Sequence, residues 1–219
     1  MTILLSLSGG LDSASLLGLY KEAGQEVIGV SFNYGSKHNK YENQAAKDVA
    51  EYYNTKLIEM DITGVMKAFE SDLLLTGGDI PEGHYEADNM KSTVVPARNM
   101  IFLSILTGLA ISKNCHAISL GVHAGDHAIY PDCRPEFINA MTGAINLASE
   151  VNIQLTTPFL FFSKANIIKE TSQFTKPTPF HLTRTCYKDQ ELACGKCGSC
   201  VERLEAFDKN NITDPISYE

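Results

Sequence analysis

The sequence predicts an α/β fold: a Rossmann-like open parallel five-stranded sheet with helices on both faces, followed by a small C-terminal metal-binding segment. Three observations carry this expectation. Short runs rich in Val, Ile and Leu alternate with stretches of helical periodicity up to about residue 171, the rhythm of parallel strands joined by crossover helices. A glycine turn, Ser8-Gly9-Gly10, joins the first strand to the first helix. Beyond residue 175 the rhythm stops, and four of the six cysteines fall within residues 186–200. The expected division is an α/β body over 1–175 and a cysteine segment over 176–219.

Bulk composition agrees with one large domain and an appendage. The chain has 219 residues, 44% of them hydrophobic, enough for a substantial core. Its formal net charge is -8 and no long basic run occurs. Nonspecific nucleic-acid affinity rests on clustered Lys and Arg, so no direct nucleic-acid binding is expected, whereas a small anionic ligand needs only a local site. Ile3-Leu4-Leu5 is too short for the apolar region of a leader, and no run reaches the ~18 apolar residues of a membrane span. The expectation is a cytoplasmic protein without a membrane partner. Six cysteines in that compartment read first as metal ligands or thiols.

The elements follow in order. Residues 3–8 read as a buried strand, and residues 13–23 as a helix stopped by Gly24. Between them the chain turns through Ser-Gly-Gly. Such a turn lets the backbone approach a ligand closely, and a helix N-terminus adds unpaired N–H donors, which suits a phosphate. No lysine follows as in G-x-x-x-x-G-K-[ST], so the loop fits a held pyrophosphate better than γ-phosphate transfer. The alternative is an ordinary strand-to-helix turn capped by Asp12 or Ser13.

A second strand spans 26–32 and runs into Tyr34-Gly35-Ser36-Lys37-His38. A helix spans 40–53 with Asn39 as its expected cap, and a third strand spans 56–61. Residues 70–95 hold many breakers and little periodicity, and read equally as an active-site lid or a surface loop. Pro96 is placed to open an apolar helix over 101–112, with Arg98 and Asn99 at its front where an anion or base would be read. A fourth strand spans 116–121. Beyond its carboxyl end, where ligands bind in open α/β sheets, residues 122–135 concentrate His123, Asp126, His127, Asp132 and Arg134. A helix over 136–149 is expected to turn Phe137, Ile138, Met141, Ile145 and Leu147 inward. A fifth strand over 151–156 and helices over 164–171 and 201–208 complete the reading.

Cys194, Cys197 and Cys200 have C-x2-C-x2-C spacing, and Cys186 is a nearby fourth thiol. Four thiolates suit tetrahedral Zn²⁺, and a closed set of four protein ligands makes one structural ion per chain. The ferredoxin run continues with x3-C-P, and Val201-Glu202-Arg203-Leu204 lacks that cysteine. Cys115 and Cys133 read as small buried hydrophobes.

Ser8-Gly9-Gly10-Leu11-Asp12-Ser13, Tyr34-Gly35-Ser36-Lys37-His38, Pro96-Ala97-Arg98-Asn99, Tyr130-Pro131-Asp132-Cys133-Arg134 and the cysteine pattern occur together and in order. Together they resemble the 7-cyano-7-deazaguanine synthase family (QueC) of the PP-loop ATP pyrophosphatase superfamily, over residues 1 to about 207. The resemblance implies an enzyme of queuosine or related deazapurine biosynthesis, using ATP with Mg²⁺, ammonia and 7-carboxy-7-deazaguanine, and a homodimer. It implies ATP binding by Leu7, Ser8, Gly9, Gly10, Leu11, Asp12, Ser13, Ala14, Ser15, Leu16 and Leu17, with Phe32 and Tyr34 near adenine and Lys164 reaching the phosphates. It implies substrate binding by Arg98, Asn99, Asp126, Tyr130 and Asp132, catalysis by Asp12, Ser13, Arg98 and Asp126, and zinc ligation by Cys186, Cys194, Cys197 and Cys200. Ile129, Thr185 and Ser36-Lys37 depart from the family pattern, and none removes a metal ligand or the loop. The rivals are another PP-loop ligase, a tRNA-thiolating relative, and a zinc-ribbon interaction module with a degenerate nucleotide fold. The closed cysteine set and acidic charge weigh against thiolation, and the complete glycine loop weighs against a degenerate module.

Overall fold

The structure is a computed structural model that describes residues 1–219. Five strands form one parallel sheet: β1 (Thr2–Ser6), β2 (Glu26–Asn33), β3 (Lys56–Asp61), β4 (Ala117–Ser119) and β5 (Gln154–Thr156). Their order is β3-β2-β1-β4-β5. The chain winds outward from β1 through β2 to β3, then crosses back to β4 and β5. The strand order therefore reverses between β1 and β4, and the crevice at their carboxyl ends is where such sheets receive ligands.

Alternation along β1 sets the two faces, because successive side chains of a strand point oppositely. Ile3 and Leu5 pack with residues of α1 (Leu11–Glu22), α2 (Asn39–Tyr52), α6 (Lys164–Thr171) and α7 (Gly198–Asp208). Leu4 joins the other core, with Phe102, Leu103 and Leu106 of α4 (Arg98–Ser112) and Ile138 and Ile145 of α5 (Pro135–Leu147). A single turn, α3 (Thr63–Met66), follows β3. Within Asp88–Ser112 an 18-residue window has a mean hydropathy of 1.7, in the range of a membrane span. The stretch is two helical pieces separated by Val94–Ala97, and α4 buries Phe102, Leu103, Leu106 and Ala110 in the core.

Several boundaries differ from the sequence expectation for identifiable reasons. Helix α1 begins at Leu11, directly after the glycines, and Gly24 follows its end at φ +65°. Pro96 does not open α4. Ala97 precedes the helix in the left-handed region (φ 51°, ψ 28°) and offers no capping side chain. The cap comes from elsewhere: Asp132 Oδ2 accepts from the Asn99 backbone N–H at 2.8 Å. Leu147 is 92% exposed, because it lies at the end of α5 and about 200° round from buried Ile145 at 100° per residue. Residues 70–95 are pinned at intervals. Leu73, Leu74, Tyr85, Met90 and Thr93 are buried and Asp88–Thr93 forms a 3-10 helix, while Leu75, Thr76, Glu82, Gly83, His84 and Glu86 are exposed.

The C-terminal segment is fastened to the body by α7. Arg203 is fully buried and donates to both carboxylate oxygens of Asp214, at 2.7 and 2.9 Å. It also donates to Thr183 Oγ1 at 2.7 Å and to the Phe180 carbonyl at 3.0 Å. A guanidinium buried this way is satisfied by planar, bidentate pairing.

Candidate active site

The glycine loop lies at the switch point. Gly9 has φ +86°, and a Cβ there would stand 2.4 Å from the Ala46 nitrogen and 2.6 Å from the Glu42 carbonyl. Helix α2 thus packs against the loop so closely that only glycine fits. Ser8 Oγ accepts from the Gly10 N–H at 3.2 Å and lies 3.1 Å from Ser13 Oγ. Gly10 supplies no side-chain cap to α1, so the first N–H groups of that helix are available to an anion.

The cavity here is bordered by Ser8, Gly10, Asp12 and Ser13 of the predicted loop set, and by Phe32, Tyr34, Arg98, Asn99, Asp126, Tyr130 and Lys164. The rest of the loop set does not border it. Leu7, Leu11, Ala14, Leu16 and Leu17 have no exposed surface and belong to the core beneath. Ser15 is buried and accepts from Thr171 Oγ1 at 3.3 Å. Their helical positions follow from α1: only its first turn opens on the crevice, while the remainder packs against the sheet.

One end of the cavity is dense with charge. Lys164, at the start of α6, reaches Glu202 Oε2 at 2.5 Å and Asp12 Oδ2 at 3.4 Å. Burial works against its ammonium, but Asp12, Glu202 and Asp126 outweigh it and raise its pKa above the ordinary lysine value. Lys164 is therefore a permanent cation. Asp126 accepts from the Tyr85 hydroxyl at 2.9 Å and from the His123 backbone N–H at 3.1 Å. Burial pushes its carboxyl up, yet His123, Lys164 and these hydrogen bonds hold it below the usual carboxylate range. His123 is buried, and its Nδ1 accepts from the Gly125 N–H at 3.1 Å. A neutral His123 consequently carries its proton on Nε2, which faces Asp12, Asp126 and Glu202 at 3.6 to 3.8 Å.

The other end is aromatic. Phe32 stacks on Phe102 with centroids 4.2 Å apart. Arg98 donates to the Tyr34 hydroxyl at 3.3 Å, and its guanidinium lies over the Tyr34 and Phe102 rings. Burial opposes the Arg98 charge, but Tyr34, Asp132 and Cys133 favour it and its pKa is raised. Burial and the nearby Glu42 push the Tyr34 phenol up to about 12, so it stays protonated. Thr93, Tyr130 and Tyr187 form a hydroxyl chain, with O···O distances of 3.1 and 3.3 Å.

Asp132 does not belong to the cavity lining. Its carboxylate is committed to the N-terminus of α4, and its carbonyl accepts from Asn99 Nδ2 at 3.2 Å. The expectation that Asp132 reads a base is corrected accordingly: the residue positions Arg98 and Asn99 by fixing the helix that carries them. Several lining groups were not assigned to the site from sequence. Glu42, Tyr85, Arg184, Thr185, Tyr187 and Ser199 border the cavity, and only those near the cysteines carried a local signal. Glu202, the closest partner of Lys164, was likewise missed.

The four predicted metal ligands do converge. The sulfurs of Cys186, Cys194, Cys197 and Cys200 lie within 4.8 Å of one another, and all four residues are buried. A tetrahedral site with Zn–S near 2.3 Å needs sulfurs about 3.8 Å apart, and Cys194 Sγ to Cys200 Sγ is 3.9 Å. Backbone N–H groups of Cys194, Lys196 and Cys197 point at Cys186 or Cys194 sulfur, at 3.3 to 3.5 Å. Such donors stabilise thiolates. The donor set fits a closed tetrahedral cation site.

The fold and this cavity define an α/β protein of the class that receives an anionic ligand on a glycine loop at the sheet's switch point. A family model described as queuosine biosynthesis protein QueC matches residues 2–211. The chain is 47% identical over 212 residues to the 7-cyano-7-deazaguanine synthase of Hahella chejuensis, covering 97% of this chain and 90% of that one. It is 43% identical over 217 residues to the enzyme of the same name from Pseudoalteromonas atlantica, covering 99% and 98%. The chain therefore belongs to the QueC family. A solved structure titled as a predicted subunit of tRNA methyltransferase from Methanocaldococcus jannaschii superposes with a TM-score of 0.52 at 16% identity, over 100% of this chain and 92% of that one. That likeness concerns the fold alone.

Proposed function

We propose that this chain is an ATP-dependent carbon–nitrogen ligase of queuosine biosynthesis, which converts 7-carboxy-7-deazaguanine and ammonia into 7-cyano-7-deazaguanine. The observation that carries this reading, within the QueC family, is the division of one cavity. A glycine loop with a fixed lysine stands at one end, and Arg98 stands at the other without a carboxylate partner.

The chemistry follows from the two ends. A carboxylate is a poor acyl donor, so its oxygen attacks the α-phosphorus of ATP and pyrophosphate leaves. Ammonia displaces AMP and, after loss of a proton, leaves the amide. The amide oxygen attacks the α-phosphorus of a second ATP, and loss of AMP and protons leaves the nitrile. Ser8, Gly10, Ser13 and the first N–H groups of α1 would hold the β,γ-phosphates, and Lys164 would offset charge on the leaving group. Asp12 stands where Mg²⁺ of the nucleotide is expected. Arg98 would grip the substrate carboxylate, with Phe32 and Tyr34 along the aromatic wall. Asn99 and Tyr130 would border the deazaguanine, and Asp126, held ionised, would accept N–H bonds from its amino-pyrimidinone face. The four cysteines would hold one structural Zn²⁺, which leaves no open coordination position and supplies no Lewis acid.

The same reading includes a nucleotide-binding body over 1–175, a metal segment over 176–219, a cytoplasmic homodimer, and no direct contact with nucleic acid. The decisive experiment incubates metal-replete protein with ATP, Mg²⁺, ammonium and 7-carboxy-7-deazaguanine. The expected products are the nitrile, identified by mass, with AMP and pyrophosphate. Formation of ADP alone, or no turnover, overturns the reading. Metal analysis is expected to find one zinc per chain, and sedimentation a dimer.

A further inference from the structure

The cysteine segment builds one wall of the cavity. Arg184, Thr185, Tyr187 and Ser199 all border it, and each stands next to, or two residues from, Cys186 or Cys200. This wall is docked on the glycine loop. The Arg184 backbone N–H donates to the Gly9 carbonyl at 2.9 Å, and the Arg184 carbonyl lies 3.5 Å from the place where a side chain on Gly10 would begin. The two terminal nitrogens of Arg184 are occupied within its own segment, donating to the carbonyls of Lys188, Gln190 and Glu191 at 2.7 to 3.0 Å, while its Nε is buried without a partner.

Thr185 has no side-chain hydrogen bond at all. It is 9% exposed, and its Oγ1 is buried with no hydrogen-bond partner in the chain. Buried hydroxyls are rarely left so, because an unpaired one carries its full desolvation cost. The same cavity is lined by the groups of an anion cradle, the Ser8 and Ser13 hydroxyls and the uncapped start of α1, and the residue before Thr185 is bonded to that loop at Gly9. One staggered step about χ1 can carry the threonine hydroxyl into the position its methyl held, the methyl taking the place of the Cβ hydrogen.

We propose that Thr185 is a phosphate-binding residue, its hydroxyl donating to a phosphoryl oxygen of the nucleoside triphosphate held by the glycine loop. The inference rests on the ATP reading above and deepens it. The metal cluster is then part of the nucleotide site, because the backbone that carries Thr185 is fixed at the next residue by Cys186. Binding gives the hydroxyl the partner that the free protein lacks.

The test compares wild type, Thr185→Val and Thr185→Ser as full-length, metal-loaded proteins. Each is titrated calorimetrically with the Mg²⁺ complex of α,β-methylene ATP, and zinc content and the melting temperature without nucleotide are recorded. Valine has the same shape but no hydroxyl. T185V is expected to weaken the analogue about tenfold or more, the scale of a lost hydrogen bond to a charged group. Its zinc content should be unchanged, and its nucleotide-free melting temperature equal to wild type or higher. T185S should bind like wild type. A T185V that binds the analogue as wild type does overturns the proposal, whatever its melting temperature. If wild type itself binds no analogue, the ATP reading falls, and this inference with it.

Discussion

The two ends of the cavity handle a buried cation in opposite ways. Lys164 is 5% exposed in its side chain and is met by Glu202 and Asp12, with Asp126 adding to the field. Arg98 is partly buried and has one phenol, Tyr34, for a hydrogen-bond partner. A cation surrounded by carboxylates is a fixed part of the scaffold. A guanidinium that faces rings and a phenol retains most of its five donors for an incoming anion. The loop end is therefore preorganised by its own charges, while the aromatic end is completed by its ligand. On the proposed reading, this contrast would keep a polyphosphate and a carboxylate at separate ends of one cavity.

The largest effect is expected at the loop end. Asp12→Ala should lower turnover by about a hundred- to a thousandfold, the scale of removing one preorganised electrostatic group, while the circular dichroism spectrum stays native. A melted spectrum would make Asp12 structural and remove the contrast. At the other end, Arg98→Gln should raise KM for the carboxylate substrate by roughly tenfold to a hundredfold, as expected from about 1.5–3 kcal/mol for a charged hydrogen bond. Its affinity for ATP should not change. Equal losses for both ligands would show that the ends are not separate.

Asp132→Ala sharpens the comparison by separating support from contact. Losing the cap of α4 should cost about 1 kcal/mol of stability, read as a lower urea midpoint. A selective rise in substrate KM with an unchanged midpoint would instead return Asp132 to substrate recognition. The smallest effect concerns pH. The Asp126 pKa is lowered in the folded protein, so its ionised form contributes stability above the unfolded value of about 3.9 and loses it as pH falls through the lower folded value. Asp126→Asn should be less stable than wild type at pH 7, and the gap should close below about pH 4 in urea titrations. A constant gap would mean that the contribution is packing rather than charge.

Much of this was legible from local pattern. The glycine turn followed by Asp12 and Ser13 marked the ligand end of β1, because a backbone that must turn tightly and expose N–H groups restricts residue choice over a few consecutive positions. The C-x2-C-x2-C run marked the metal site for the same reason: neighbouring sulfurs can converge only at short spacing. The apolar run Ile3-Leu4-Leu5 marked a buried strand. The mistakes were of one kind. Leu147 and the assignment of Pro96 as a helix start were read from spacing, and the interior side of a helix end is decided by what packs there.

Residue identity alone did not separate Asp126 from Asp132. Both follow β4 within one polar stretch, yet one faces Lys164 and the other caps α4. The difference is tertiary, set by a helix whose N-terminal residue, Ala97, offers no cap of its own. Glu202 and Tyr85 were likewise silent, since each meets Lys164 or Asp126 from a separate segment of the chain. By itself, then, the sequence determined the strand order's building blocks, the glycine turn after β1 and the four cysteines that converge, because these depend on contacts among near neighbours. The tertiary structure alone decided which charges meet Lys164, which carboxylate becomes a cap, and that the metal segment walls the same cavity. Those outcomes depend on surfaces brought together from separate elements, 33 residues apart for Asn99 and Asp132 and 38 for Lys164 and Glu202, and no local spacing encodes them.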